Sequence, residues 1–272
     1  MIADYHMHLR DEHERIAHDA AAVEPFVEAA RVAGIDEIGF TEHAYYFRET
    51  RVLWDMPYHV ERCVYELEPY VEAILEAKQR GLPVKLGIEV DYARGREEET
   101  RELLAPYPWD YVLGSVHFID GLGVDGEPRL LDSIGVEATW RRYFEELAAA
   151  AEARLFDSLA HPDVVKIWGA RPERELEEQL HEQAVEAIAA SGVGVEVSTA
   201  GLRRPVAELY PDPHLLALCR ARGVPATVAS DAHVPRLVGC EFDRARGLLR
   251  SAGYETITLF EQRRPTQVPL DG

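Results

Sequence analysis

Along the chain the spacing of apolar positions switches repeatedly between two periods. Short runs of β-branched and aromatic residues bounded by Gly or Pro have the pattern of strands, and between them apolar residues recur every three or four positions, as on the buried face of a helix. The first run spans residues 2–8, where Tyr5 and Met7 alternate with Asp4, His6 and His8. As a strand it sends both imidazoles out of one face, where they can chelate one ion. A polar stretch from Leu9 to His18 follows, carrying Asp11, Glu12, His13 and Glu14. Asp19 then caps a helix over 19–33, ended by Gly34, and a strand over 37–40 delivers Thr41, Glu42 and His43.

The aromatic segment 44–58 either walls a pocket or packs down as a lid. One long helix is expected over 59–80, stopped by Gly81 and Pro83, and then a strand over 84–88 that runs into Glu89 and Asp91. A helix over 97–104 leads to a strand over 111–116 that ends in His117. Residues 119–135, rich in glycine and aspartate, form either a mobile active-site loop or a long turn. Beyond them a helix over 136–153 precedes an apolar run at 156–160 that ends in His161. A helix over 173–191 and a β-branched strand over 192–198 then open onto Thr199-Ala200-Gly201-Leu202-Arg203-Arg204-Pro205. The remainder is a helix over 213–222, a strand over 225–230 ending in Asp231-Ala232-His233, a helix over 241–251 and a strand over 256–260.

Strands alternating with helices imply an α/β fold with a parallel sheet, and seven such units suggest closure into a barrel. In such barrels the chemistry lies at the carboxyl ends of the strands. His6, His8, His43, Glu89, His117, His161, Asp231 and His233 all follow strand-like runs. Six separate runs ending in imidazole or carboxylate point to convergence on metal. The set contains no cysteine, which suits zinc, iron or manganese without choosing among them. Eight ligands are more than one catalytic ion can use, so more than one metal is implied, with the two oxygens of Glu89 as a natural bridge. Such a site hydrolyses phosphate esters: metal-bound hydroxide attacks phosphorus in line while the ions neutralise the equatorial oxygens. Arg203 could fork onto the phosphate. Asp231 and His233 are the first candidates to protonate the leaving alkoxide.

Composition narrows the partners. The 272 residues, 47% hydrophobic, suffice for one large domain over 1–272, and no linker or repeat divides them. A formal charge of −20 argues against a nucleic-acid surface, and a phosphate ester must therefore meet positive charge inside the site. The first residues lack a secretory pattern and no apolar stretch is long enough to span a bilayer, so no membrane partner and a cytoplasmic location are expected. Cys63, Cys219 and Cys240 are widely spaced, as befits reduced thiols. The pattern sets no oligomeric state.

The order His6-x-His8, Glu42-His43, Gly87-Ile88-Glu89, Gly114-Ser115-Val116-His117, Ala160-His161-Pro162 and Ser230-Asp231-Ala232-His233 resembles the polymerase and histidinol phosphatase (PHP) superfamily. Residues 199–205 and 114–118 resemble its histidinol-phosphatase branch. The resemblance covers essentially the whole chain and implies a distorted, TIM-like (β/α)7 barrel with two to three divalent metal ions. It assigns His6, His8, Glu89 and Asp231 to the first ion, Glu89, His117 and His161 to the second, and His43 and His233 to the third. One further ligand is expected from the loop after the first strand, with His13 the nearest candidate and Asp11, Glu12 or Glu14 in reserve. The implied reaction is hydrolysis of L-histidinol phosphate to L-histidinol and phosphate in histidine biosynthesis, the alternative being another small phosphomonoester or a nucleotide. An amidohydrolase-type barrel would commonly bridge paired metals through a carboxylated lysine at a strand end. The only lysines are Lys78, Lys85 and Lys166, none so placed.

Overall fold

A computed structural model describes residues 1–9, 18–126 and 128–270. His13, Asp11, Glu12 and Glu14 lie outside the described residues. In chain order the elements begin β1 (Ala3–Asp4), α1 (Ala20–Ala33), β2 (Glu37–Phe40), α2 (Pro57–Arg62), α3 (Leu67–Gln79), β3 (Val84–Asp91), α4 (Glu97–Leu104) and β4 (Tyr111–Ser115). They continue with β5 (Phe118–Ile119), β6 (Leu122–Gly123), α5 (Arg129–Ile134), α6 (Val136–Glu152), β7 (Ser158–Leu159), α7 (Arg174–Ser191) and β8 (Gly194–Ser198). The last are α8 (Pro213–Ala221), β9 (Ala226–Ala229), α9 (Phe242–Ser251), β10 (Thr256–Glu261) and β11 (Arg264–Pro269).

Seven strands form one parallel sheet in the order β1-β2-β3-β4-β7-β8-β9. Its two ends meet: the His8 amide donates to the Ala232 carbonyl at 2.9 Å and the Ala232 amide to the His6 carbonyl at 3.2 Å. The result is a nearly closed α/β barrel of the TIM-like kind, as the strand–helix alternation implies. Outward-facing positions such as Ile38, Phe40, Leu86, Ile88, Val195 and Val197 join the helices in the main apolar core. Inside, Ala3, Tyr5, Tyr111, Leu113, Ala160 and Phe260 form a separate buried cluster. Tyr5 and Tyr111 stack with centroids 5.0 Å apart, which plugs the barrel below the strand ends. Glycine is required beside this plug, because a Cβ on Gly39 would stand 2.0 Å from the Tyr111 hydroxyl oxygen.

Two expectations change in the structure, at residues 59–80 and 119–135. The helix expected over 59–80 is two helices, α2 ending at Arg62 and α3 starting at Leu67, which leaves Pro69 in a first turn, where its missing N–H forgoes no intrahelical bond. Between them Tyr65 pairs with Phe47 in an isolated bridge. The connection 119–135 contains the β5–β6 hairpin and α5. The final strand, β10, lies outside the barrel sheet and pairs antiparallel with β11. Among the described residues no helix is long and apolar enough to cross a membrane.

Candidate metal centre and active site

The eight ligand types read from the strand ends meet at the carboxyl end of the barrel. His6 Nε2 stands 3.2 Å from His8 Nε2 and 3.3 Å from Glu89 Oε2. Asp231 Oδ1 is 3.7 Å from His6 Nε2, 3.5 Å from His8 Nε2 and 3.3 Å from His233 Nε2. On the other side of Glu89, Oε1 lies 3.2 Å from His161 Nε2 and 3.6 Å from His117 Nε2, and these two nitrogens are 3.3 Å apart. His43 Nδ1 is 2.7 Å from Glu89 Oε2, and its ring stacks on His8 at 4.3 Å. Glu89 therefore presents one oxygen to each half of the cluster.

These spacings decide what the cluster can hold. Donors about 2.0–2.2 Å from a common cation stand roughly 3–3.5 Å from one another, and most of the separations fall there. Facing imidazole nitrogens with lone pairs aimed at one another gain little as hydrogen bonds and much as ligands. His8 Nδ1 and His161 Nδ1, moreover, are buried without a hydrogen-bond partner among the described residues. His6, His8 and Asp231 form one group able to hold an ion, and His8, His43 and His233 another. His8 thus stands between the first group and the His43–His233 pair.

Two acids behind the ligands orient them. Glu196, fully buried on β8, accepts from His6 Nδ1 at 2.8 Å and from the His161 amide at 3.2 Å. Asp91 accepts from His117 Nδ1 at 2.8 Å. Each carboxylate fixes the tautomer that leaves Nε2 facing the cluster. The hydrophobic pattern alone left Glu196 unmarked, although an acid at the centre of a β-branched strand was a signal available. Asp4 does not share the imidazole face expected of an alternating strand. The ladder of β1 stops at Asp4, whose carboxylate accepts from the Ser230 amide and hydroxyl and the Gly239 amide and ties the barrel seam.

Ionisation follows the packing. Burial alone would raise the carboxyl of Glu89, but the imidazoles of His43, His6 and His117 hold it well below its ordinary range. Asp231 is likewise held low against burial by His6 and His233. Burial pushes His8 well down, helped by His233 and His43, whereas at His6 the carboxylates of Glu196, Glu89 and Asp231 overcome burial and raise it. His161 and Asp231 both have positive φ, 28° and 51°, a cost typically carried at functional sites.

A family model described as the PHP domain matches residues 4–200. The chain belongs to the PHP domain family. A relative from Deinococcus radiodurans named "Probable histidinol-phosphatase" is 31% identical over 262 residues, covering 94% of this chain and 96% of that one. A Lactococcus lactis protein named "Histidinol-phosphatase" is 24% identical over 94% of the chain and 93% of its own length. The crystal structure of histidinol phosphate phosphatase from Lactococcus lactis, complexed with zinc, L-histidinol and phosphate, shares the fold at a TM-score of 0.76. Its identity is 22%, over 97% of this chain and 98% of that one.

The cluster opens into a cavity of about 520 Å³. Tyr45, Tyr46, Met56 and Tyr58 from the aromatic segment line it, whereas Phe47 and Trp54 are buried in the core, so that segment both walls a pocket and packs down. Arg204 lines the cavity and Arg203 does not. The Arg203 guanidinium instead donates to the main-chain carbonyls of Ser230 at 2.6 Å and Asp231 at 3.1 Å, bracing the turn that carries the ligand. Lys78 and Lys85 pair with Asp110, Glu37 and Glu261, and Lys166 is buried against Asp163, so no lysine enters the cluster. His18, His59, His181 and His214 stand outside it, although His59 is buried 3.9 Å from Asp91.

Proposed function

We propose that this chain is a metal-dependent phosphomonoesterase that hydrolyses L-histidinol phosphate to L-histidinol and phosphate, a step in making histidine, and that it works with two to three divalent ions. The observation that carries the reading is the coordination-like spacing of His6, His8, Glu89, His117, His161 and Asp231 at the floor of an open cavity. The choice of substrate is supported by relatives of that name aligned over nearly the whole chain. Zinc, iron or manganese suits the nitrogen and oxygen donors.

His6, His8, Glu89 and Asp231 would hold one ion, Glu89, His117 and His161 a second, and His43 and His233 a third. When bound, these ions would supply a water activated near neutral pH and positive charge for the phosphate oxygens. The remaining work falls to side chains. Arg204 at the cavity wall is placed to fork onto phosphate oxygens, with Arg203 holding the Asp231 turn in position. Asp231, ionised, is an acceptor for the proton of the attacking water. The same carboxyl, once it carries that proton, returns it to the alkoxide as the ester P–O bond breaks, while His233, 3.3 Å from it, would stay with the third ion.

The test is phosphate release by protein purified without chelator, from L-histidinol phosphate, a nucleoside monophosphate and an aryl phosphate. A kcat/KM for L-histidinol phosphate at least about a hundredfold above the others, on the order of the ~3 kcal/mol that a few specific contacts supply, is expected. Equal, slow rates on all three would overturn the assignment.

A further inference from the structure

The cavity contains an acid that the cation cluster does not use. Among the described residues three carboxylates line it: Glu89 and Asp231 belong to the cluster, and Asp125 remains. Among the described residues no hydrogen bond or ion pair engages the Asp125 side chain, yet its position is fixed by its neighbour. The Val124 amide donates to the His117 carbonyl at 2.8 Å, and the Trp168 indole donates to the Val124 carbonyl at 3.0 Å. Val124 is itself buried, 4% exposed, so the residue after it leaves the wall at a defined point beside a metal-ligand type. Asp125 shares the lining of the cavity with His117 at its floor and Tyr58 at its aromatic rim.

Among the described residues the cationic ones of the same cavity are Arg62, Arg129 and Arg204. Arg62 lies flat over the Tyr58 ring, 3.6 Å from its centroid, and donates to the Tyr58 carbonyl. A substrate carrying both a phosphate and an ammonium group is sorted by such a cavity: its anion goes to the cluster, and its cation to the carboxylate that the cluster leaves over. An acid held unpaired in a cavity costs little while water solvates it, and gains most when a cation replaces that water.

We infer that Asp125 is the specificity-determining residue of the cavity and binds the ammonium group of an amine-bearing phosphomonoester, placed a few bonds from the phosphorus that sits over the cluster. The inference rests on the proposed phosphatase activity and adds to it the feature of the substrate that is selected.

The experiment measures kcat/KM of the metal-loaded enzyme on matched pairs, each an amine-bearing ester and its amine-free counterpart. The pairs are L-histidinol phosphate against its deaminated analogue, and phosphoethanolamine against ethyl phosphate. The wild-type protein favours the amine-bearing member by about tenfold or more, through KM, the size expected of a hydrogen bond to a charged group. Asp125→Asn, which keeps shape and removes charge, brings the ratio near one, and Asp125→Glu restores part of it. A wild-type ratio near one, or a preference that survives in Asp125→Asn, overturns the inference. Because the second pair contains no imidazole, failure of the histidinol assignment shows separately: L-histidinol phosphate is then no better than an aryl phosphate while the amine preference of the short pair persists.

Discussion

Glu89 is the residue on which the two halves of the cluster depend, since each oxygen faces a different set of imidazoles. Glu89→Gln keeps the volume but gives up a charge and one lone-pair-rich oxygen. The variant is expected to bind fewer ions per chain and to lose about a thousandfold or more in kcat, as when a group acting through positioned charge is removed. Metal analysis beside phosphate release checks it, and unchanged metal content would contradict the bridging role. Glu196 acts one step further out, through His6 and the His161 amide. Glu196→Gln is expected to lower metal affinity about 10- to 100-fold, the usual effect of releasing an orienting partner, with near-normal activity recovered at saturating metal. The eight ligand types were legible in the sequence because each ends an apolar run. Glu196 was not, because an acid inside a strand looks the same whether it faces a ligand or a salt bridge. Arg203 and Arg204 show a further limit. They are adjacent, and only the 3-10 turn over Ala200–Arg203 decides that the first braces a carbonyl and the second reaches the cavity.

The strands and most helices were legible because hydrophobic period and terminal Gly or Pro agree there, as at α1, where Asp19 caps and Gly34 closes with φ 72°. Where the chain departs locally from the wider pattern, periodicity misleads: an apparently continuous helix is split into α2 and α3, with Pro69 in the first turn of the second. The pairing of β10 with β11 was likewise hidden, since the sequence 264–269, with two prolines and mostly exposed positions, lacks an apolar alternation. The β2 strand depends on Gly39 passing Tyr111, so Gly39→Ala is expected to destabilise by about 1–3 kcal/mol through overpacking. Tyr111→Phe in the same chain should recover part of the loss in urea denaturation, and strict additivity of the two changes would count against the clash. On α7, burial pushes His181 down to about 4, with His214, Lys166 and Arg171 adding to it and Asp212 opposing. An unfolded imidazole titrates near 6.5, so between about 6.5 and 4 the unfolded chain binds a proton that the folded chain refuses. Stability associated with His181 is therefore complete above about pH 6.5 and falls as pH drops toward 4. Urea midpoints at pH 7.5 and pH 5 should fall further for the wild-type protein than for His181→Gln, and equal falls would contradict this.

At the scale of the molecule, the chain sets a net charge of −20 around a cavity whose floor gathers imidazoles and carboxylates from residue 6 to residue 233. Parallel closure brings them together: each barrel strand runs the same way, so ends separated by most of the sequence lie side by side. That arrangement has its full value only with cations present, since binding N-state ions stabilises the fold by mass action and relieves the mutual repulsion of the buried carboxylates. The direct test is a metal count joined to activity. Protein purified without chelator is analysed for metal per chain, assayed on L-histidinol phosphate, stripped, assayed again, and reloaded with zinc, iron or manganese. The account predicts two to three ions per chain, loss of at least about 99% of activity on stripping, the scale of a metal's contribution to hydrolysis, and its return on reloading. Full activity in protein shown to hold no metal would contradict it.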